Sequence, residues 1–404
     1  MRAREIAPNI YWVGVVDWDI RYFHGPAYST HRGTTYNAYL IVDEKVALVD
    51  TVMKGFEEEL LEAIREVIDP ARIDVIISNH SEIDHSGALP QVIAAAPNAK
   101  LYCTAKGAEF LEQQFHGGWD YNVVQNGDEI KLGQRTLTFL EAPMLHWPDS
   151  MFTYIKEDAI LMPNDAFGQH YASSERFDDE VDIAEVMQEA RKYYANILTP
   201  FSRQVAKKLQ EVQELGIPIR MICPSHGIIW RQDPGRIVQA YAEWSTNPGA
   251  EKVVIAYDTM WESTRVMAEA LARGIAREGV AYQLFRISSS DRNDIITQIK
   301  EAKAVAIGSP TYNRGMLPTV APLVDDLVAL RPFGKLALAF GSDGWGGGAI
   351  GAINEYLRKA RFELFSDGVA VKWRPDKAKQ EEIEEIGASL ARAVKEGTAN
   401  GTDA

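Results

Sequence analysis

The 404-residue chain has few cysteines, the residues whose disulfide bonds stabilise small extracellular domains. It contains only two cysteines, Cys103 and Cys223, and no CxxC pair. A disulfide framework and a thiolate-bound iron or zinc centre are therefore excluded within one chain. Both cysteines lie in apolar segments, which favours inert core positions. No apolar run approaches the roughly 20 residues that a membrane-spanning helix needs. We therefore expect a cytoplasmic protein without a membrane partner.

Positive charge is also in short supply. The formal net charge is -15, and no cluster of Lys and Arg occurs in the sequence. This balance argues against nucleic acid or an anionic membrane surface as a partner, although a basic protein partner stays possible. The length and the 46% hydrophobic content predict two or three domains, each with its own buried core.

A dense group of metal-capable side chains stands out in this background. Residues 80–85 read His-Ser-Glu-Ile-Asp-His and directly follow Ile73–Ser78, an apolar, β-branched run typical of a buried strand. Imidazoles combined with carboxylates, without thiolates, favour iron or manganese over a closed structural zinc site. Taken alone, the same letters also fit a polar surface turn.

Three further strand ends carry side chains of the same kind. His146 follows a predicted strand at Arg135–Glu141, Asp165 follows the strand AILMP, and His226 follows Ile219–Cys223. Any one of these residues would more often be a hydrogen-bonded structural residue. However, four of the eight histidines fall in these four turns. The recurrence favours a two-metal site.

The first half otherwise alternates strands with helices. Strands and turns from Ile10 to Val49 predict an opening antiparallel sheet, and helices are expected at Phe56–Ile68 and Ala88–Ala96. Helical periodicity runs from Ile183 to Leu215, with Tyr193, Tyr194 and Ile197 on one buried face. A composition rich in Ser, Asn, Pro and Gly predicts a linker at Tyr241–Glu251, which divides the chain into domains 1–250 and 251–404.

The second half alternates β and α elements, which predicts a doubly wound parallel sheet. Strands are expected at Lys252–Tyr257, Ala281–Ile287, Ala304–Gly308, Leu336–Gly341 and Gly368–Lys372, and a last helix at Lys377–Lys395.

Three loops at the carboxyl ends of these strands are candidate cofactor loops. The first offers hydroxyls and helix N-terminal amides for one phosphate, and the other two offer aromatics and glycines around a planar ring. As an alternative to cofactor binding, the glycines make tight turns and Trp345 packs in a core. The candidate residues are Thr259, Met260, Trp261, Ser263 and Thr264; Ser309, Pro310, Thr311, Tyr312 and Asn313; and Ser342, Asp343, Gly344, Trp345, Gly346 and Gly347.

The order of ligand-type residues resembles the metallo-β-lactamase fold, an αββα sandwich with a binuclear site at one edge. Glu82 stands where the zinc hydrolases of that superfamily usually carry histidine, and this replacement resembles the flavodiiron proteins. The second half resembles flavodoxin, which binds FMN, but its phosphate loop has Trp261 and Glu262 where flavodoxins commonly have a glycine. The resemblance covers nearly the whole chain.

The resemblance implies two irons. One would be bound by His80, Glu82 and His146, the other by Asp84, His85 and His226, with Asp165 bridging them. It leaves open whether His85 reaches its iron. A carboxylate in place of one histidine is a harder, anionic ligand, which suits iron that cycles between ferrous and ferric states.

The family resemblance also implies an activity and its partners. Flavodiiron proteins reduce nitric oxide to nitrous oxide, dioxygen to water, or both. They form head-to-tail homodimers that place the FMN of one chain beside the irons of the other, so a homodimer or a dimer of dimers is expected. A rubredoxin is the first expectation for the electron donor, with a reduced deazaflavin or an NADH-dependent reductase as alternatives. Trp147, the loop of His24, and Tyr194 could line the gas pocket, but core packing is the favoured interpretation of each. A zinc hydrolase and a pure electron carrier are the two competing functions.

Overall fold

The computed structural model describes residues 3–397 and divides into two compact units. The first unit contains the chain up to Tyr194 together with Phe201–Ser245, and the second contains Ala195–Pro200 and the chain from Thr246 onward. In the described part of the chain, no helix is both long and apolar enough to cross a bilayer.

The first unit is built on two main sheets. One has the order β1-β2-β7-β8-β9-β10-β11 and the other β12-β13-β14-β15-β16, and the short pairs β3-β6 and β4-β5 stand apart from both. The strands are β1 Arg4–Ala7, β2 Ile10–Trp12, β3 Val15–Asp17, β4 Tyr22–Phe23, β5 Tyr28–Ser29, β6 Thr34–Tyr36, β7 Tyr39–Val42, β8 Val46–Val49, β9 Ile73–Ile77, β10 Lys100–Cys103, β11 Tyr121–Val123, β12 Glu129–Lys131, β13 Thr136–Glu141, β14 Met151–Ile155, β15 Ile160–Met162 and β16 Met221–Ile222.

These two sheets share one apolar core. Ile41, Val49 and Ile77 of the first sheet pack in the same buried cluster as Phe139 and Met151 of the second. The expected antiparallel opening is confirmed for β1, β2, β7 and β8, after which β8 to β11 run parallel. The helices of this unit are α1 Glu57–Arg65, α2 Ile83–Ser86, α3 Leu89–Ala95, α4 Ala105–Phe115, α5 Ile183–Tyr193, α6 Ser202–Glu214 and α7 Pro234–Thr246.

The helix predicted from Ile183 to Leu215 is interrupted. After α5 the chain makes a π-helical turn at Tyr194–Leu198 and a 3-10 turn at Thr199–Phe201 before α6 begins. Pro200 explains the break, because its ring clashes with the preceding helical turn and it has no N–H to donate. Tyr193 and Tyr194 are buried as expected, whereas Ile197 is only half-buried.

The predicted linker at Tyr241–Glu251 is too long. Helix α7 continues to Thr246, and the first strand of the second unit begins at Ala250. Tyr241 is fully buried against Phe167 and Tyr194, so tertiary packing keeps this polar segment helical.

The second unit is a parallel sheet with helices on both faces. Its order, β18-β17-β19-β20 followed by β21 and β22 on β20, is that of a doubly wound fold. Its elements are β17 Ala250–Tyr257, α8 Ser263–Arg277, β18 Ala281–Arg286, α9 Arg292–Glu301, β19 Ala302–Gly308, α10 Ala321–Leu330, β20 Leu336–Asp343, α11 Ala349–Lys359, β21 Glu363–Leu364, β22 Val369–Lys372 and α12 Lys377–Glu396.

Alternating residues of β17 supply both cores of this unit. Val253 and Ile255 belong to the cluster that contains α8 and α12, while Val254 and Ala256 belong to the cluster that contains α9, α10 and α11. Because successive side chains of a strand point to opposite faces, an unbroken apolar run is what a doubly covered strand requires. Strand β20 extends two residues beyond its predicted end, which places Ser342 and Asp343 at the strand terminus.

Candidate functional site

The four predicted strand ends meet at one edge of the first unit. Strands β13 and β15 both run antiparallel to β14, and β16 runs parallel to β15, so the turns after all three leave the same edge. These turns carry His146, Asp165 and His226, and the segment after β9 supplies His80, Glu82, Asp84 and His85. Six of the seven residues are at most 8% exposed.

The seven side chains form two adjacent groups. His80, Glu82, His146 and Asp165 each offer a ligand atom within 4.8 Å of the others, and so do Asp84, His85 and His226. Among residues 3–397 these are the buried groups with a metal-type donor set. The two sets match the division between two irons that the resemblance implies.

Asp165 lies between the groups. Its Oδ2 is 3.3 Å from Nε2 of His146 and 3.6 Å from Nε2 of His80, whereas its Oδ1 is 3.1 Å from Nε2 of His85 and 3.4 Å from Nε2 of His226. Each oxygen of the carboxylate therefore faces a different group. A carboxylate in this position has the arrangement needed to bridge two cations.

The outer nitrogens of two histidines are already engaged. Nδ1 of His80 is 3.1 Å from Oδ1 of Asp149, and Nδ1 of His226 is 2.6 Å from the carbonyl oxygen of Thr35. When a neutral imidazole donates its Nδ1 proton, its Nε2 keeps a lone pair for a metal. Both contacts thus select the tautomer that a metal site needs.

Without a metal, the site holds protons. Burial alone would lower the pKa of His85, but the charges of Asp84 and Asp165 outweigh it and raise that pKa to about 9. For His146, burial is likewise outweighed by hydrogen bonds to Asp165 and Glu82, and its pKa is also about 9. The pKa of Asp165 is held well below its usual range by His85 and His146 despite complete burial. Dense negative charge of this kind attracts cations.

The residues present fit a pair of metal ions. Asp84 Oδ1 is buried and, among the described residues, has no hydrogen-bond donor. A buried carboxylate oxygen without a partner is costly, and a cation at this point would remove the cost. Four imidazoles and three carboxylates suit iron, and the set contains no thiolate.

The residues suggested for a gas pocket have different surroundings. His24 places Nε2 2.8 Å from Oε1 of Glu82, and the ring of Trp147 lies edge-on to His80 at 5.0 Å. Tyr194 packs against Tyr241 and Trp244 in the core, which confirms the favoured interpretation and not the gas pocket.

Two residues near the site had not been singled out for it from the sequence. The ring of Tyr193 lies 6.2 Å from that of His226. His170 is fully buried with its ring 4.8 Å from His226, and Nδ1 of His170 is 2.8 Å from Oγ1 of Thr34. His170 follows no strand end, so the pattern that found the other histidines does not reach it.

The first cofactor loop of the second unit surrounds the start of α8. Oγ1 of Thr259 and Oγ1 of Thr264 are buried, and no hydrogen-bond partner for either atom lies within the described chain. Together with the free amides of the helix start, these hydroxyls suit an anion. Glu262 adopts φ 67°, so it takes the left-handed conformation for which a glycine is usually chosen. The missing glycine therefore does not prevent the loop from turning.

The other two loops lie side by side. The backbone N–H of Thr311 donates to the carbonyl oxygen of Ser342 at 2.8 Å, and both residues line a cavity of about 210 Å³. Trp345 is 87% exposed, so the alternative that it packs in a core is wrong. Trp373, which had not been singled out, lies 5.8 Å from Trp345. Exposed aromatic rings on a loop that also lines a cavity suit a planar ring.

Comparison with known proteins identifies the two halves. The family described as ODP family beta lactamase matches residues 34–227, and the flavodoxin family matches residues 255–387. A nitric oxide reductase of Moorella thermoacetica is 54% identical over 391 residues, which cover 96% of this chain and 98% of that protein. The flavodiiron protein of Giardia intestinalis has a TM-score of 0.94 at 36% identity, over 98% of this chain and 97% of that one.

The chain belongs to the flavodiiron protein family. A further flavodiiron-like structure, the rubredoxin oxygen:oxidoreductase of Desulfovibrio gigas, has a TM-score of 0.95 at 40% identity, with coverage of 98% and 99%. The predicted fold, a β-lactamase-like sandwich followed by a flavodoxin-like sheet, is confirmed. The cofactors expected from the sequence, two irons and FMN, are likewise those of the flavodiiron family.

Proposed function

We propose that this flavodiiron chain reduces nitric oxide to nitrous oxide, dioxygen to water, or both. The observation that carries the proposal is the placement of Asp165 between two ligand groups, in a chain that also contains a flavodoxin unit. When bound, two ferrous ions and reduced FMN supply four electrons, enough for one dioxygen. The names of the Moorella and Desulfovibrio relatives support these two substrates.

The ligand roles follow the two groups of the site. We assign His80, Glu82 and His146 to one iron, Asp84, His85 and His226 to the other, and Asp165 to both. Three carboxylates against two divalent cations leave one net positive charge, which a hydroxide would balance. Burial of six of the seven residues excludes bulk water from the ligands and strengthens every charge interaction among them.

Both reductions consume protons, and His24 is placed to deliver them. Its side chain is 37% exposed, while its Nε2 contacts Glu82 at the site. Burial lowers its pKa, but the hydrogen bond and charge of Glu82 raise it above the ordinary value. A proton held at Nε2 of His24 thus lies between solvent and the ligands.

The cofactor loops have a role in binding FMN and in assembly. We assign the phosphate to the loop from Thr259 to Thr264 and the ring to the loops of Tyr312 and Trp345. The exposed Trp261, Trp345 and Trp373 offer an aromatic surface that a second copy of the chain would cover in a head-to-tail dimer. The name of the Desulfovibrio relative supports a rubredoxin as electron donor. We assign the diiron function to the domain of residues 1–250 and FMN binding to the domain of residues 251–404.

The proposal is tested by purifying the protein without oxygen and measuring its metals, flavin and gas consumption. We expect about two irons and one FMN per chain, and consumption of nitric oxide, dioxygen or both with a reduced artificial donor. His226→Ala should abolish gas consumption while the FMN is still reduced by the donor. Zinc without flavin would instead indicate a hydrolase, and undiminished gas consumption by the variant would contradict catalysis at this centre.

A further inference from the structure

Asp149 lies directly behind one of the proposed iron ligands. Its Oδ1 is 3.1 Å and its Oδ2 3.2 Å from Nδ1 of His80, and its Oδ2 also accepts the backbone N–H of Ser81 at 2.7 Å. The side chains of Asp149 and His80 are both fully buried. The two oxygens accept hydrogen bonds and donate none, as an ionised carboxylate does.

In the other group, no carboxylate among the described residues accepts a hydrogen bond from the outer nitrogen of a histidine. The charge of the buried Asp50 acts on His85, but no hydrogen bond joins the two side chains. Nδ1 of His226 donates to the neutral carbonyl of Thr35, and Nδ1 of His85 has no hydrogen-bond partner in the part of the chain that the structure describes. The two groups therefore differ in what stands behind their imidazoles. A hydrogen-bonded carboxylate stands behind His80 and a carbonyl behind His226, whereas Nδ1 of His85 has no hydrogen-bond partner among the described residues.

This difference has a chemical consequence for bound metal. A carboxylate that accepts the Nδ1 proton makes the imidazole a stronger electron donor at Nε2, and it also fixes the ring orientation. A stronger donor stabilises ferric iron more than ferrous iron, because the ferric ion carries the larger charge. A carbonyl does the same to a smaller extent, since it is only a dipole.

We propose that Asp149 is a positioning residue that makes the two iron sites unequal. It tightens the site that contains His80 and lowers the reduction potential of that site, and the site of His226 is then the more easily reduced one. The inference rests on the proposed ligation of iron by His80.

The backbone around His80 has other anchors, so the charge of Asp149 can be tested apart from its structural role. The carbonyl oxygen of Ser81 accepts two hydrogen bonds, from Nε2 of Gln114 at 2.8 Å and from Oγ of Ser86 at 2.7 Å. Gln114→Leu removes one anchor of Ser81 and leaves the contact between Asp149 and His80 in place. Asp149→Asn keeps the shape and removes the charge.

The experiment compares these variants with the wild type during anaerobic titration of Fe(II) against a competing chelator. For Asp149→Asn we expect one of the two irons to bind about 10- to 100-fold more weakly. We also expect one of two iron reduction steps, followed by electron paramagnetic resonance, to move to a more positive potential. Gln114→Leu should leave both quantities near the wild type, and FMN content should not change in either variant.

Asp149→Glu retains the charge and keeps the test decisive if Asp149→Asn does not fold. We expect the step of lower potential to persist in this variant even where its iron affinity falls. Three results would overturn the proposal. They are equally weakened binding of both irons in Asp149→Asn, the same changes in Gln114→Leu, and an unshifted reduction potential in Asp149→Asn. A positive shift in Asp149→Glu would overturn it too. A wild type without bound iron would instead contradict the proposed function itself.

Discussion

Removal of iron should leave the centre filled with protons. In the metal-free protein the pKa values of His85 and His146 are about 9, against an ordinary value of about 6.5. A difference of about 2.5 units, at about 1.4 kcal/mol per unit, corresponds to roughly 3 kcal/mol of stability from each residue. Because both pKa values are raised, this stability is fully present below pH ~6.5 and is lost as the pH rises through about 9.

Iron must displace these protons, since a histidine binds metal only when its nitrogen is unprotonated. Each displaced proton makes the apparent binding constant rise tenfold per pH unit below the pKa of its group. Burial lowers the pKa of His80, but its hydrogen bonds to Asp149 and Glu82 raise it well above the ordinary value, so His80 and His146 each bring a proton to one iron site and His85 brings one to the other. The affinity for the first iron should therefore rise about 100-fold per pH unit between pH ~7 and ~8, and the affinity for the second about tenfold. Anaerobic chelator competition over this range measures the slope, after correction for protonation of the chelator.

Two variants separate the site from the rest of the chain. His146→Gln removes one of the two protons that the first iron displaces, and the slope for that iron should fall to about tenfold per pH unit. His116→Gln changes an exposed histidine at the end of α4 and should leave the slope as in the wild type. An iron affinity that does not change with pH would refute the reasoning, because it would mean that the metal-free histidines are neutral.

Three further changes test other features of the structure. Asp165→Asn should reduce the iron content, measured by metal analysis, below two per chain, because an amide presents an oxygen to only one ligand group. The control Ser225→Ala removes one 3.1 Å hydrogen bond to Asp165 and should retain both irons. Gly348→Ala should lower the free energy of unfolding by about 1–3 kcal/mol and weaken FMN retention, since φ is 127° and the added Cβ would lie 2.2 Å from a backbone oxygen. Gly351 has open space around it, so Gly351→Ala should not lower the stability, and equal effects of the two changes would refute this account. Lys335→Met should lower the melting temperature of the flavodoxin unit, because it removes the amine that donates to three carbonyl oxygens in two buried hydrogen bonds and one half-buried one. An unchanged temperature would contradict the role of that amine.

The metal centre could be found from the sequence because its residues follow strands. Strands of one sheet that run in the same direction bring their carboxyl ends to a common edge, which accounts for the side chains after β13, β15 and β16. The segment after β9, in the other sheet, reaches the same place. Asp149 could not be found in this way. It is one of 57 acidic residues, and its role depends on a distance to His80 that only the folded loop defines.

The errors of prediction have local physical causes. Helical periodicity does not register the break caused by Pro200, so α5 and α6 were expected as one helix. Tyr193 and Tyr194 were both expected on one buried face, but a helix turns by about 100° per residue, so Tyr193 lies beside His226 and Tyr194 packs against Tyr241. The length of the linker was wrong because burial of Tyr241 outweighs the polar composition around it.

The six residues from His80 to His85 serve both ligand groups, with Glu82 as the residue that precedes the short helix α2. One short stretch of backbone therefore contributes to both ligand groups, and Asp165 from the other sheet lies between them. An insertion or deletion within these six residues would therefore disturb both ligand groups at once.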